Sequence, residues 1–339
     1  LDNHKSEVYV GLNWNEVRNF IPASGCVIIT DDNVYKIYGK LFPDFPVISI
    51  KPGEDSKNIG TIVTLAEKLL DEGIDRTGFI LGIGGGVVCD ITGFLASIYM
   101  RGINFGFIST TLLSQVDASV GGKNAVNIGK IKNILGCFRQ PRFVICDPDL
   151  LLTLPDDEYL SGLGELVKMG LILDYNLFEK IENNIALLMS KDADLLESLI
   201  SDSVELKASV VREDEKEISG KRMILNFGHT FGHVIETVAS MKHGFAVAAG
   251  MVIASGISEK LGLIGLEEFQ RIKSLLEKLN LLKKYSLDDN YFQEMLLKDK
   301  KKQGSLISFV LLQSPGRAVV RKMTVYEIMN LYRSIKKQV

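Results

Sequence analysis

The sequence predicts an α/β N-terminal domain followed by a mainly α-helical C-terminal domain. Three observations carry that reading. Short, continuously apolar runs rich in β-branched residues recur up to residue 146, separated by segments of helical period. The pattern changes near Pro148 to Pro155, and beyond it nearly every segment has helical spacing. The 339 residues are enough for two cores. The expected domains are therefore 1–150 and 151–339.

In chain order, Cys26 to Thr30 and Val47 to Ile50 read as strands. Ser56 is the expected N-cap of a helix carrying Ile59, Ile62, Val63, Ala66, Leu69 and Leu70, and Gly73 ends it. Phe79 to Ile83 is a third strand. Three glycines then lead into a helix with Val87, Ile91, Phe94, Leu95 and Ile98. Further strands are expected at Phe105 to Ile108 and Phe143 to Cys146. Interleaved strands and helices of this kind build a mostly parallel sheet covered on both faces. Helices are expected at 158–173, 177–189, 194–211, 229–240, 246–261, 267–279, 291–297 and 325–335. A small hairpin turns at Ser314-Pro315-Gly316.

A hydrophobic fraction of 46% with 24% charged residues is that of a soluble globular chain. The net charge of −3 gives no electrostatic footprint for nucleic acid or an anionic membrane, so any basic site must be local. The four cysteines are scattered, without a C-x-x-C pair, and fit a reducing compartment. No basic segment followed by an apolar run opens the chain, so a cytoplasmic location is expected. Phe79 to Met100 has the length of a membrane span, but Asp90 and five glycines favour strand, turn and helix.

Four stretches carry chemistry. In Gly82-Ile83-Gly84-Gly85-Gly86-Val87-Val88-Cys89-Asp90, glycines between strand and helix let the backbone approach a phosphate at the helix N-terminus. The dinucleotide fingerprint G-x-G-x-x-G would need glycine at Val87. A dinucleotide-binding, Rossmann-like domain and a tight structural turn both remain open at this point. The stretch Ser109 to Lys123 follows a strand and mixes hydroxyls with Asp117, Lys123 and two glycines. Lys130, Lys132, Asn133, Arg139 and Arg142 continue a basic region suited to a phosphorylated or carboxylated ligand. Glu165 and Lys168 are i, i+3 on an otherwise apolar helix, either a surface ion pair or part of a site. Three of the four histidines, His229, His233 and His243, fall within one short segment. His229 and His233 are i, i+4, which suits a metal, an anion, or two ordinary helix histidines. Arg222, Asn226, His229 and His233 follow at spacings of 4, 3 and 4, so a continuous helix would put them on one face. A carboxylate with histidines makes a divalent-metal site plausible, and hence a metal-binding C-terminal domain.

Several long motifs, in order along residues 26 to 312, resemble the 3-dehydroquinate synthase family of sugar-phosphate cyclases. They are G-G-G-V-V-C-D, Y-M-R-G, S-T-T-L-L-S-Q-V-D-A-S-V-G-G-K, K-N-I-L-G-C-F-R-Q-P, G-E-L-V-K, R-E-D-E and N-F-G-H-T-F-G-H-V-I-E. The resemblance implies conversion of 3-deoxy-D-arabino-heptulosonate 7-phosphate to 3-dehydroquinate and phosphate, in the shikimate pathway to chorismate and aromatic amino acids. It implies NAD, a divalent metal (Zn²⁺ or Co²⁺) and a homodimer. The sequence of steps would be oxidation of an alcohol, phosphate elimination, re-reduction and intramolecular aldol closure.

By the same resemblance, Glu165, His229 and His243 would be the metal ligands. NAD would be contacted by Asp31, Asn33, Glu54, Lys57, Gly86, Val87, Asp90, Thr110, Thr111, Leu113, Lys123, Lys132 and Thr153. The substrate pocket would hold Asp117, Lys123, Asn133, Lys168, Lys207, Arg222, Asn226, His233 and Lys300, with Arg101 arriving across a dimer interface. Four departures stand out. Phe245 replaces the glutamate of the usual H-G-E, which bears on tuning around the metal. Cys89 replaces a glycine, Ile131 interrupts G-K-N, and one extra residue lies between Lys207 and Arg222. Lys301 competes with Lys300 for its place. Two other classes share part of this pattern: a 2-deoxy-scyllo-inosose or valiolone-type cyclase, and an NAD-linked, metal-dependent polyol dehydrogenase.

Overall fold

A computed structural model describes residues 6–129, 131–286, 288–298, 302–303 and 306–336. The chain divides into two compact units, Leu1–Leu154 with Leu196–Val204, and Pro155–Leu195 with Glu205–Val339.

The first unit is built on a six-stranded, all-parallel sheet. Its strands are β1 (Glu7–Val10), β2 (Cys26–Asp31), β3 (Val47–Ile50), β4 (Phe79–Gly84), β5 (Asn104–Ser109) and β8 (Phe143–Cys146). Their spatial order is β1-β8-β5-β4-β2-β3. Helices α1 (Asp32–Tyr38), α2 (Ile59–Asp71) and α3 (Gly86–Ile98) connect them. The central strands are buried along their length, which is why they read as unbroken apolar runs. Trp14, Phe42, Phe79 and Phe143 fill the core with the β-branched residues of β2, β4 and β8.

Strand order reverses between β2 and β4, so their carboxyl ends form a topological switch point. Thr30 pairs with Ile83 there, which sets Asp31 beside Gly84.

Some expectations need correction. The N-cap of α2 is Asn58, whose side chain accepts from the Thr61 N–H, whereas the Ser56 hydroxyl donates to the Lys51 carbonyl. β1 was not foreseen. Nor was the antiparallel hairpin of β6 (Lys123–Ile128) and β7 (Ile131–Phe138). β7 is exposed at nearly every position, so no apolar/polar alternation marked it.

The second unit is mainly helical: α4 (Asp156–Leu173), α5 (Tyr175–Asn183), α6 (Ile185–Met189), the ends of α7 (Ala193–Glu213), α8 (His229–Ala239), α9 (His243–Lys260), α10 (Leu266–Lys278), α11 (Asp289–Lys298) and α12 (Val325–Ile335). The expected helix 177–189 is broken at Asn184 into α5 and α6. Short β9 (Lys302–Gln303) joins the expected hairpin, β10 (Leu306–Ser314) and β11 (Arg317–Thr324). Arg222 and Asn226 lie in a 3-10 turn, Lys221–Asn226, and Gly228 at φ 77° separates it from α8. The expected single helical stripe from Arg222 to His233 is therefore two segments. Among the described residues no helix is long and apolar enough to cross a membrane.

Candidate metal and cofactor sites

In the second unit, α4, α8 and α9 pack backbone against backbone. A Cβ on Gly164 would sit 2.6 Å from the Gly244 carbonyl oxygen, and one on Gly244 would sit 1.8 Å from that of Ser161. Gly250 meets the Gly228 carbonyl at 1.9 Å in the same way. Side chains at these positions would wedge the helices apart. Gly164 and Gly244 directly neighbour Glu165 and His243, so the closest approach of α4 and α9 falls where those side chains project. The Ser161 hydroxyl accepts the Gly244 N–H at 3.0 Å and fixes the start of α9.

Glu165 is fully buried, and one atom from each of Glu165, His229 and His243 lies within 4.8 Å of the others. His243 Nε2 is 3.1 Å and His229 Nε2 3.6 Å from Glu165 Oε1. The opposite ring nitrogens are committed elsewhere. His229 Nδ1–H donates to the Phe227 carbonyl at 3.0 Å, and His243 Nδ1–H to Glu236 Oε2 at 3.3 Å. That arrangement fixes ring orientation and turns both Nε2 atoms toward Glu165, as in histidine–metal centres braced by outer acceptors. Three hard-to-borderline donors converging on one point fit a divalent ion such as Zn²⁺.

Neighbouring charges shift all three groups. Burial would raise the Glu165 carboxyl, but buried Lys168, in an ion pair with Glu165, and both histidines hold it well below the usual carboxylate range. Burial disfavours charge on His243, yet Glu165 and Glu236 outweigh that and push it up to about 10. His229 is held well below its ordinary value by burial and by Lys168.

His233 is exposed. Its ring lies 5.2 Å from His229 and 6.2 Å from His243, outside the three-donor group. Arg222 is buried. Its guanidinium donates to the Glu215 carbonyl at 2.9 Å, and its backbone N–H to Asp214 at 3.1 Å. Lys207 is buried and Asn226 half-buried. Lys300 and Lys301 lie outside the described residues.

In the first unit, several of the expected cofactor residues lie at or just beyond the carboxyl ends of adjacent strands. Asp31 ends β2 and caps α1, accepting from the Asn33 and Val34 N–H groups. Gly84 ends β4. Gly85 is the N-cap of α3, and no side chain caps that helix. A Cβ would meet Val88 at Gly84 and Thr111 at Gly85, so the turn admits only glycine without displacement. The Thr110 N–H donates to the Gly84 carbonyl, which brings Thr110 and Thr111 alongside. An uncapped helix N-terminus at a switch point suits a phosphate.

Lys57 is buried, pairs with Asp90 and donates to Asn133 Oδ1 at 2.6 Å. Glu54 accepts from Asn127 at 2.8 Å. Leu113 and Asp117 are half-buried, while Lys123, Lys132 and Thr153 are exposed, with Thr153 bonded to Tyr38 at 2.6 Å. Arg101 is exposed, at φ 73°. Sequence reasoning missed Glu236 and Asn127. Glu236 could have been found as the carboxylate of H-V-I-E, one turn from His233.

A parallel α/β unit with a glycine turn at its switch point, and a helical unit with a buried carboxylate–imidazole triad, define a metal- and nucleotide-binding enzyme class. A family model described as 3-dehydroquinate synthase N-terminal matches residues 47–161, and one described as 3-dehydroquinate synthase C-terminal matches 162–302. The 3-dehydroquinate synthase of Thermoanaerobacter pseudethanolicus is 43% identical over 329 residues, covering 94% of this chain and 92% of the relative. That of Alkaliphilus metalliredigens is 38% identical, covering 97% and 95%. Among solved structures, a 2-deoxy-scyllo-inosose synthase complexed with carbaglucose-6-phosphate, NAD⁺ and Co²⁺ superposes with a TM-score of 0.84 at 26% identity, covering 97% and 96%. A 2-epi-5-epi-valiolone synthase from Streptomyces hygroscopicus with NAD⁺ and Zn²⁺ bound shares the fold, with a TM-score of 0.91 at 24% identity, covering 100% and 99%. The chain belongs to the 3-dehydroquinate synthase family.

Proposed function

We infer that the protein converts 3-deoxy-D-arabino-heptulosonate 7-phosphate to 3-dehydroquinate and phosphate, as a carbon–oxygen lyase using NAD and a divalent metal. The observation that carries this is the buried Glu165–His229–His243 triad in a chain about 40% identical to 3-dehydroquinate synthases over most of its length.

Glu165, His229 and His243 would hold the cation. When bound, the cation supplies Lewis acidity to a substrate hydroxyl, and NAD supplies a reversible hydride acceptor. The chain's own residues bind and orient. Glu236 and the Phe227 carbonyl keep the two imidazoles in register. Lys168 offsets the buried Glu165 charge. Lys207, Arg222, Asn226, His233 and Lys300 supply the cationic and amide groups that a substrate with both carboxylate and phosphate requires. Asp117, Lys123 and Asn133 are assigned to the substrate as well. Asp31, Asn33, Glu54, Lys57, Gly86, Val87, Asp90, Thr110, Thr111, Leu113, Lys123, Lys132 and Thr153 are assigned to NAD, within an NAD-binding domain 1–150. The metal- and substrate-binding domain is 151–339. A cytoplasmic homodimer, with Arg101 serving its partner's site, completes the reading; the exposed Arg101 side chain supports it.

The test combines purified protein, NAD⁺, Zn²⁺ or Co²⁺ and the heptulosonate phosphate. Phosphate is expected stoichiometrically, without accumulation of NADH. Steady NADH growth would instead indicate a dehydrogenase. Turnover of glucose 6-phosphate in place of the heptulosonate would reassign the substrate.

A further inference from the structure

We propose that Asn127 is a positioning residue that shapes the NAD site by fastening the 54–58 segment to Asn133 at the start of β7. The inference rests on the NAD assignment of Glu54 and Lys57 above.

Asn127 sits in β6 where the register with β7 slips between Val126 and Ile128. The bulge breaks the strand's in/out alternation, so Val126 and Asn127 are both buried although adjacent. Three polar groups of Asn127 are tied to the 54–58 segment and to β7. Its backbone N–H donates to the Lys57 carbonyl at 2.8 Å. Its side-chain Nδ2 donates to Glu54 Oε1 at 2.8 Å. Its Oδ1 accepts the Asn133 N–H at 2.8 Å. Asn133 has φ 53°, a conformation that L-residues rarely adopt, and its side chain in turn accepts from Lys57. One amide therefore orients the Glu54 carboxylate and helps hold Asn133 in the left-handed region, which in turn aims Asn133 Oδ1 at Lys57.

Only a primary amide of this length does both jobs. Aspartate keeps the acceptor but puts a carboxylate against Glu54, and serine is too short to span both partners.

Calorimetric titration of the full chain with NAD tests the assignment. Asn127→Asp is expected to weaken NAD binding on the order of tenfold or more. Under turnover the NAD KM should rise by a larger factor than kcat falls. Asn127→Ser should act in the same direction, and it keeps the test open if the aspartate variant does not fold. It should also speed amide hydrogen exchange at Asn133 in the absence of NAD. In a Glu54→Gln background the penalty of Asn127→Asp should shrink, because a glutamine amide donates to the new carboxylate. Unchanged NAD affinity in both single variants, or an identical penalty in both backgrounds, overturns the role of Asn127 alone. A wild-type chain that does not bind NAD overturns this inference together with the reading it rests on.

Discussion

Each unit of this protein gathers a knot of charged and polar side chains, and the two are wired differently. Around Lys57, donors and acceptors alternate: Lys57 meets Asp90 and Asn133, Asn133 meets Asn127, and Asn127 meets Glu54. That network is closed by its own hydrogen bonds and holds loops in place. Around Glu165, two imidazole nitrogens and a carboxylate oxygen face one another, while the far sides of both rings are tied down. A carboxylate and two imidazoles converging on one point are a donor set suited to a divalent cation. Both clusters pair a buried lysine with a carboxylate. What separates a scaffold from a cation site is the direction of the donors.

The sharpest way to break that contrast is Glu165→Gln. Removing the only anionic donor should strip the metal and cut phosphate release on the order of a thousandfold, the scale of a lost Lewis acid. Metal analysis and the phosphate assay read it. Full metal content with near-normal turnover would make the cluster an ion-pair knot like the other one.

Next comes the division among the histidines. His243→Ala should lose bound metal, whereas His233→Ala should retain it and lose substrate affinity instead. Equal metal loss in both would redraw the ligand set. A smaller effect is expected from Glu236→Gln, which leaves the three donors intact but weakens the brace on His243. Metal affinity should fall about 10–100-fold, measured by competition with a chelator.

The smallest effect concerns a carboxylate held mainly by backbone N–H groups. Burial raises the Asp214 carboxyl, but the N–H groups of Ser219, Arg222 and Ile218 outweigh it and hold it at about 2, below its ordinary value near 4. A lowered folded-state value means that Asp214 contributes its full stability above about pH 4 and loses it as pH falls toward 2. The Tm difference between wild type and Asp214→Asn should therefore shrink over that window. A difference independent of pH would remove the carboxylate's charge from the explanation.

Sequence reasoning reached most of the sheet because buried parallel strands leave unbroken apolar runs, as at Ile80 and Leu81. It reached the amphipathic helices through their period. The β6–β7 hairpin escaped because β7 is exposed along its length. Asn127 escaped for a related reason: a bulge turns it inward, and bulges erase the alternation by which an inward residue is recognised. The 3-10 turn at Arg222 was invisible to spacing, since 4, 3 and 4 look helical until Gly228 breaks the chain direction. The metal triad came from motif resemblance, because Glu165 lies 64 residues before His229 and no local period links them.

The glycine contacts between α4, α8 and α9 bear on how this protein tolerates change. Where Gly164, Gly244 and Gly250 face main-chain atoms, no side chain stands between the helices to repack around a new methyl group. In a saturation library these three positions should be the least permissive of their helices, since even alanine overlaps a carbonyl oxygen at Gly244 and Gly250. Phe245 lies beside one of them, buried yet under the Lys283 ammonium. Variation in the metal centre's surroundings therefore has an outlet in side chains such as this one, while the spacing of the helices stays fixed.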